Sequence, residues 1–229
     1  MCYNGGMNQR IAMLMERASR SLAEMAYLDG QRLCVEALAL ARDAEDWVLY
    51  RQILLPLQEC RRQIRMAAGE GLMLIGKEGE AGFEQFEQGS VDGCLFYTGQ
   101  RAGEVLGKIR QAAAEQNKNV EILVGGPNDQ SGQAWRVLAD WAGMTDLNVA
   151  IDPPRQAWLG DDGAKDMGGE DWLGWFICAS EKMGDALLEG VAECLAEQRL
   201  DAYEAALGVV PTHERLHQAL SDFVASEFL

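Results

Sequence analysis

Apolar positions over residues 8–66 recur every three or four residues. Ile11, Leu14, Met15, Ala18, Leu22, Met25 and Ala26 fall on one side of a helix, the spacing that buries a single face at a 3.6-residue period. Leu28-Asp29-Gly30 predicts a short break, and Leu33, Cys34, Ala37, Leu38 and Ala41 a second helix. A third opens near Asp46-Trp47 and runs to Ala67-Ala68-Gly69, with Pro56 expected to kink it because proline lacks the N–H that bonds back one turn. Beyond residue 70 the period changes. Residues 71–76 and 93–99 are short apolar runs bounded by glycine. Residues 120–124 and 147–151 are two further strand-like runs, and one helical turn is expected around Phe83 and Phe86. Helices are predicted over 102–116 and 131–143. Strands alternating with helices of that length imply crossover connections and a parallel sheet.

From Asp152 to Asp171 the chain turns Pro-, Gly- and Asp-rich. Twenty residues without regular structure are unusual inside a compact domain, so this stretch is expected to be a mobile or functional loop. Trp172, Trp175, Phe176 and Ala179 return to helical spacing, although 175–178 also fits a buried strand. Helices near 185–206 and 212–228 follow, the last with Thr212 as its cap. The fold class expected is α/β. A helical hairpin region over 1–69 packs on a parallel sheet of three to four strands with crossover helices, and the C-terminal helices belong to an α/β domain over 70–229.

Within residues 12–66, Leu22-Ala23 and Tyr27 precede the first turn, and Cys34, Leu38 and Ala41 take the small or apolar positions of the second helix. In these residues the segment resembles a tetratricopeptide-type helical repeat. The resemblance covers about a quarter of the chain, and it implies helical hairpins of the kind that bind peptides or partner proteins.

The net charge of −16 is unevenly spread. Residues 1–66 hold nine Arg against eight Asp and Glu, whereas the rest hold 11 basic against 28 acidic side chains. Such a surface repels phosphate backbones, so nucleic acid is not an expected partner. The cluster Arg61, Arg62 and Arg65 reads as helix-face ion pairing. No apolar run approaches the roughly 18 residues of a membrane helix, and Met1-Cys2-Tyr3-Asn4-Gly5-Gly6 carries no apolar leader, with Met7 a possible natural start. Six scattered cysteines without a CxxC pair read as reduced, mostly buried thiols, and a cytoplasmic setting is expected.

Three stretches carry candidate chemistry. His213-Glu214-Arg215-Leu216-His217 matches HExxH, in which two imidazoles one turn apart share zinc and the glutamate polarises a bound water. A third ligand is required. The extended motif needs Gly at 220 and His at 223, where this chain has Leu220 and Phe223, so no metal is favoured. The second stretch is the loop 125–130. If it opens a helix after a parallel strand, the carboxyl ends of the strands present Thr98, Gly99, Gly125, Gly126, Asn128, Asp129, Ser131 and Asp152 to a small polar or phosphorylated ligand. It has neither GxGxxG nor GxxxxGK[ST]. The third, the acidic residues Asp161, Asp162, Asp166, Glu170 and Asp171, lacks the calcium-loop spacing and reads as a solvated loop. No GxSxG and no activated cysteine is visible. The sequence therefore favours a non-catalytic interaction or adaptor protein with a protein partner and no cofactor. A ligand-binding enzyme or sensor is the alternative, and a zinc hydrolase through His213, Glu214 and His217 comes behind it.

Overall fold

A computed structural model describes residues 4–128, 134–141, 145–155 and 170–229. The chain is α/β and divides into two units. Residues 1–63 and 194–229 form one, and 64–193 the other. The C-terminal helices therefore group with the N-terminal ones rather than with the sheet, and the boundary falls inside a helix instead of at residue 69.

The first unit is helical: α1 (Asn4–Ala23), α2 (Tyr27–Asp43), the first part of α3 (Trp47–Gly69), a 3-10 turn (Ala196–Gln198), α7 (Arg199–Val209) and α8 (Glu214–Phe228). Its core takes Ile11 and Leu14 from α1, Leu33 and Ala37 from α2, Tyr50, Ile53 and Leu57 from α3, and Leu200, Leu207, Leu216 and Leu220 from α7 and α8. The α1 and α2 residues of this core belong to the apolar stripes read from the sequence, although Met25, placed in the first stripe, is exposed. Leu28-Asp29-Gly30 is not a break. Gly30 lies buried inside α2, where a Cβ would sit 2.9 Å from the Cys60 Sγ; the glycine admits a close neighbour rather than ending a helix. Pro56 lies within α3.

The actual turns fall at Met25 and Glu45, 20 residues apart, and they are alike. Met25 N–H donates to Leu22 O and Ala26 N–H to Ser21 O; Glu45 N–H donates to Arg42 O and Asp46 N–H to Ala41 O. Both are Schellman closures, which need a left-handed residue just past the helix. Met25 (φ 59°) and Glu45 (φ 52°) hold that conformation without being glycine. Met25→Gly and Glu45→Gly are each expected to stabilise the helical unit by about 0.5–1 kcal/mol. Unchanged urea midpoints in both variants would contradict this.

Polar ties run from α2 and α3 to α7 and α8. The Arg42 guanidinium bonds Asp201 and Glu204, and the Tyr50 hydroxyl donates to Glu204 at 2.6 Å. Arg51 Nε donates to Ser221 Oγ at 3.3 Å. Burial and the adjacent Glu204 carboxylate raise the Tyr50 pKa, so its hydroxyl remains a donor.

The second unit holds a five-stranded sheet in the order β1 (Leu72–Gly76), β2 (Gly93–Tyr97), β3 (Val120–Pro127), β4 (Trp135–Trp141), β5 (Thr145–Ile151). The first three strands are parallel, joined through α4 (Phe83–Glu87) and α5 (Ala102–Glu115), and the last two are antiparallel. The sheet is thus mixed, with five strands instead of three or four. Leu74, Leu95, Tyr97 and Ile122 face α4 and α5, packing on Phe83, Phe86, Val105 and Ile109. The other face is aromatic. Phe96 meets Trp135 and Trp175 at centroid distances of 5.8 and 5.0 Å, and Trp172 stacks on Phe176 at 5.3 Å, the last three residues coming from α6 (Glu170–Glu193). Residues 175–178 are therefore helical, in one helix with 185–193. Arg65, in the part of α3 that belongs to this unit, donates to Glu181 and Ser180 of α6, both at 3.2 Å.

The largest correction is at 131–143. The helix expected there is absent, since 135–141 is strand β4. Trp135, Val137 and Ala139 are buried while Arg136 and Leu138 are less so, the alternation that a strand with one buried face demands.

Candidate functional site

Gly125 and Gly126 belong to β3, opposite Val137 and Arg136 of β4, and they do not form a loop opening a helix. With β3 followed by the antiparallel strand β4, the helix N-terminus expected to hold an anion there is absent. Asn128 N–H donates to Ala134 O at 2.6 Å. Asp129 and Ser131 lie outside the described residues, as do 156–169 of the expected loop. Asp152 follows β5, and its carboxylate pairs with Lys182 at 3.1 Å, while its carbonyl accepts from the Trp175 indole at 2.9 Å. Among the described residues, Gly125 and Gly126 lie in the ladder and Asp152 is engaged by α6.

The HExxH-like residues have structural roles. His213 caps α8: its Nδ1 accepts from Leu216 N–H at 3.2 Å. The cap is thus His213 rather than Thr212. An Nδ1 that accepts must be unprotonated, so the neutral ring carries its hydrogen on Nε2. His217 Nε2 lies 2.9 Å from the Pro211 carbonyl oxygen and 3.4 Å from an Arg61 nitrogen. A carbonyl only accepts, so the shorter contact assigns the Nε2 hydrogen to Pro211. One ring nitrogen of each histidine, His213 Nδ1 and His217 Nε2, is accordingly committed to the backbone. Glu214 is in the first turn of α8, where its charge suits the helix dipole. Among the described residues no group of three or more His, Cys, Asp or Glu is placed to hold a metal ion.

Thr98, by contrast, lines a cavity. The carboxyl ends of β1 and β2 open into a space of about 450 Å³ bounded by Lys77, Glu78, Thr98, Gly99, Gln100 and Arg101. The chain builds it from two short exits. After β1, Lys77 to Glu80 make a tight turn closed by Glu80 N–H to Lys77 O at 3.2 Å, with Gly79 at φ 84°, the positive φ that the third position of a type II turn requires. The Glu80 carboxylate folds back on Lys77 N–H at 3.0 Å. After β2, Thr98 N–H still donates to Gly76 O, and α5 begins four residues later at Ala102.

Under the cavity, Glu78 accepts from the Tyr97 hydroxyl at 2.7 Å and from Arg101 at 3.1 Å. A Cβ on Gly99 would strike the Tyr97 hydroxyl and approach Glu78 Oε2 to 2.7 Å, so only glycine leaves room for this bond at the floor. Hydrogen bonds from its own backbone N–H and from Tyr97, with Arg101 nearby, hold Glu78 below the usual carboxylate range. Burial and the Glu78 carboxylate push Tyr97 up to about 12. At neutral pH the pair is therefore a carboxylate and an intact phenol, which orients the cavity floor and does not exchange protons. The Lys77 ammonium is exposed and has no ion-pair partner among the described residues. Two cations against one carboxylate leave the cavity at a balance of +1, whereas the sheet unit as a whole holds ten basic and 22 acidic residues.

Of the residues at this site, the sequence reading identified Thr98 and Gly99 and missed Lys77, Glu78, Gln100 and Arg101. The missed signal was their position directly after two parallel strands, where ligands gather. Among the described residues no helix is long and apolar enough to cross a membrane. Comparison of the chain with protein-family models, with curated proteins and with solved structures finds no match.

Proposed function

We propose that the protein binds a small anionic ligand at the carboxyl ends of β1 and β2, its negative group held by Lys77 and Arg101 and its neutral part by Thr98 and Gln100. The observation that carries this reading is a local reversal of charge. In a unit with a balance of −12, this strand-end cavity presents an ammonium and a guanidinium. The volume suits a compact metabolite, since ligand pockets commonly span about 300–1,000 Å³. Arg101 can turn from Glu78 to the ligand without leaving that carboxylate unsatisfied, because Tyr97 still donates to it. Calorimetric titration with inorganic phosphate, pyrophosphate and acetate at low salt tests the proposal. Binding of at least one anion is expected, weakened at least tenfold in Lys77→Ala and in Arg101→Ala and unchanged in Lys182→Ala. Silence with all three anions, or equal affinity in the cavity variants, would rule it out.

A second reading is the adaptor role suggested by the repeat-like helices. Its support is a groove on the α1–α2 hairpin lined by Arg17, Arg20, Ser21, Glu24, Asp29, Arg32 and Leu33, a shape and charge that suit an acidic segment of a partner. Arg17→Glu would abolish such an association while leaving anion binding by the sheet unit intact.

A further inference from the structure

We infer that the ligand of the β1–β2 cavity is a small zwitterion, whose ammonium donates to Glu78 while Lys77 and Arg101 hold its anionic group. This rests on the anion site proposed above and adds an oppositely charged half to it. The cations of the cavity stand on exposed side chains: Arg101 is 67% exposed against 24% for Glu78, and Lys77 is exposed as well. The most firmly placed charge is therefore the carboxylate. Glu78 is the second residue of the tight turn that Glu80 N–H closes on Lys77 O, which sets its backbone. Its Oε2 accepts from the Tyr97 hydroxyl at 2.7 Å, and Tyr97 is fully buried on β2. Gly99 keeps the space around that hydroxyl clear. A carboxylate held from beneath in this way is a preorganised acceptor, and an acceptor facing a binding cavity suits a ligand with a donor.

The two carboxylate oxygens have different partners. Oε2 is tied to the floor by Tyr97, whereas Oε1 accepts from the Arg101 guanidinium at 3.1 Å. When Arg101 turns to an incoming anion, Oε1 is the oxygen it leaves. A ligand that is negative throughout then brings like charge towards a carboxylate whose counter-ion it has just drawn away. A ligand that also carries an ammonium sets that group on Oε1 in place of the guanidinium, so every charge in the cavity floor is paired. Tyr97 and the backbone N–H of Glu78 keep donating to the carboxylate during this exchange, which keeps it ionised. Amino acids and aminoalkyl phosphates have this chemistry: an anionic group and an ammonium on a skeleton of a few carbons, a size that a cavity of about 450 Å³ admits.

The test is calorimetric titration of the full chain at low salt with matched pairs in which one member gains an ammonium: acetate and glycine, butyrate and γ-aminobutyrate, ethyl phosphate and phosphoethanolamine. In at least one pair the zwitterion is expected to bind at least about fivefold more tightly than the plain anion, within reach of one charge-assisted hydrogen bond. Glu78→Gln should abolish that advantage and leave the plain anion bound as well as before or better, because a negative charge beside it is gone. Retained anion binding also shows that the cavity still forms in the variant. No advantage for the zwitterion in any pair while the plain anions bind overturns the inference and leaves the anion site standing. An advantage that survives Glu78→Gln, or loss of both members of a pair in that variant, overturns it as well, the latter by giving Glu78 a structural role. Silence of every ligand, inorganic phosphate included, removes the anion site and the inference together.

Discussion

Taking the helical unit from about pH 7 to about pH 4 is expected to remove roughly 3 kcal/mol of its stability through His217 alone. His217 is 2% exposed. Burial is the main reason its pKa falls to about 4; the Arg61 guanidinium on α3 and the neighbouring His213 lower it further, and the Pro211 carbonyl opposes them. In an unfolded chain a histidine titrates near about 6.5. As pH falls the unfolded state takes up its proton first, so protons favour unfolding. The stability contribution is complete above about pH 6.5, declines through the window and is gone below about pH 4. Urea midpoints followed by far-UV circular dichroism across this range check the effect. The slope with pH should flatten in His217→Gln, and a slope equal to that of the unmodified protein would refute the assignment to His217.

Gly125→Ala is expected to cost the sheet unit about 3 kcal/mol, and Gly126→Ala less than about 0.5 kcal/mol. The two glycines are adjacent on β3, yet they face opposite sides of the sheet. A Cβ on Gly125 would run into the Arg136 carbonyl of β4 and come within 2.5 Å of the Phe96 ring, whereas a Cβ on Gly126 meets nothing within 4 Å. Neither obstacle can yield cheaply. The carbonyl belongs to the ladder, and Phe96 is clamped by Trp135 and Trp175. Tryptophan fluorescence reports this unit directly, because that cluster contains Trp135, Trp172 and Trp175. Coincident urea midpoints for the two variants would show that the aromatic face accommodates a methyl and would remove the explanation for Gly125.

This pair of glycines also shows where the sequence was ambiguous. Gly125-Gly126-Pro127 reads as a loop because glycine and proline are poor strand residues, but here the first glycine makes room for an aromatic ring. The segment after it is ambiguous for another reason. Trp135, Leu138, Ala139 and Ala142 fit the helical spacing, while Trp135, Val137 and Ala139 fit the strand spacing. Pairing with β3 decides between them, and pairing is a nonlocal fact. The α3 helix, β1, β2, α4 and α5 were legible because in each one period fits and the ends are marked by glycine or a charged turn. At the candidate site only Thr98 and Gly99 were legible. Lys77 and Arg101 gain meaning from the parallel register that sets Gly76 beside Tyr97. HExxH was legible as letters, but its meaning lay in His213 standing at the cap, a place usually taken by Ser, Thr, Asp or Asn.

The division of the chain has a consequence for its synthesis. Residues 64–193 are inserted within the helical unit, so a ribosome delivers the whole sheet unit before α7 and α8 exist. Until then Arg42 and Tyr50 lack Asp201 and Glu204, and the apolar faces of α1 to α3 lack Leu207, Leu216 and Leu220. The first helices made are therefore the last to be completed. During elongation they form an unfinished hydrophobic surface, and a chaperone would meet the nascent chain there rather than on the sheet.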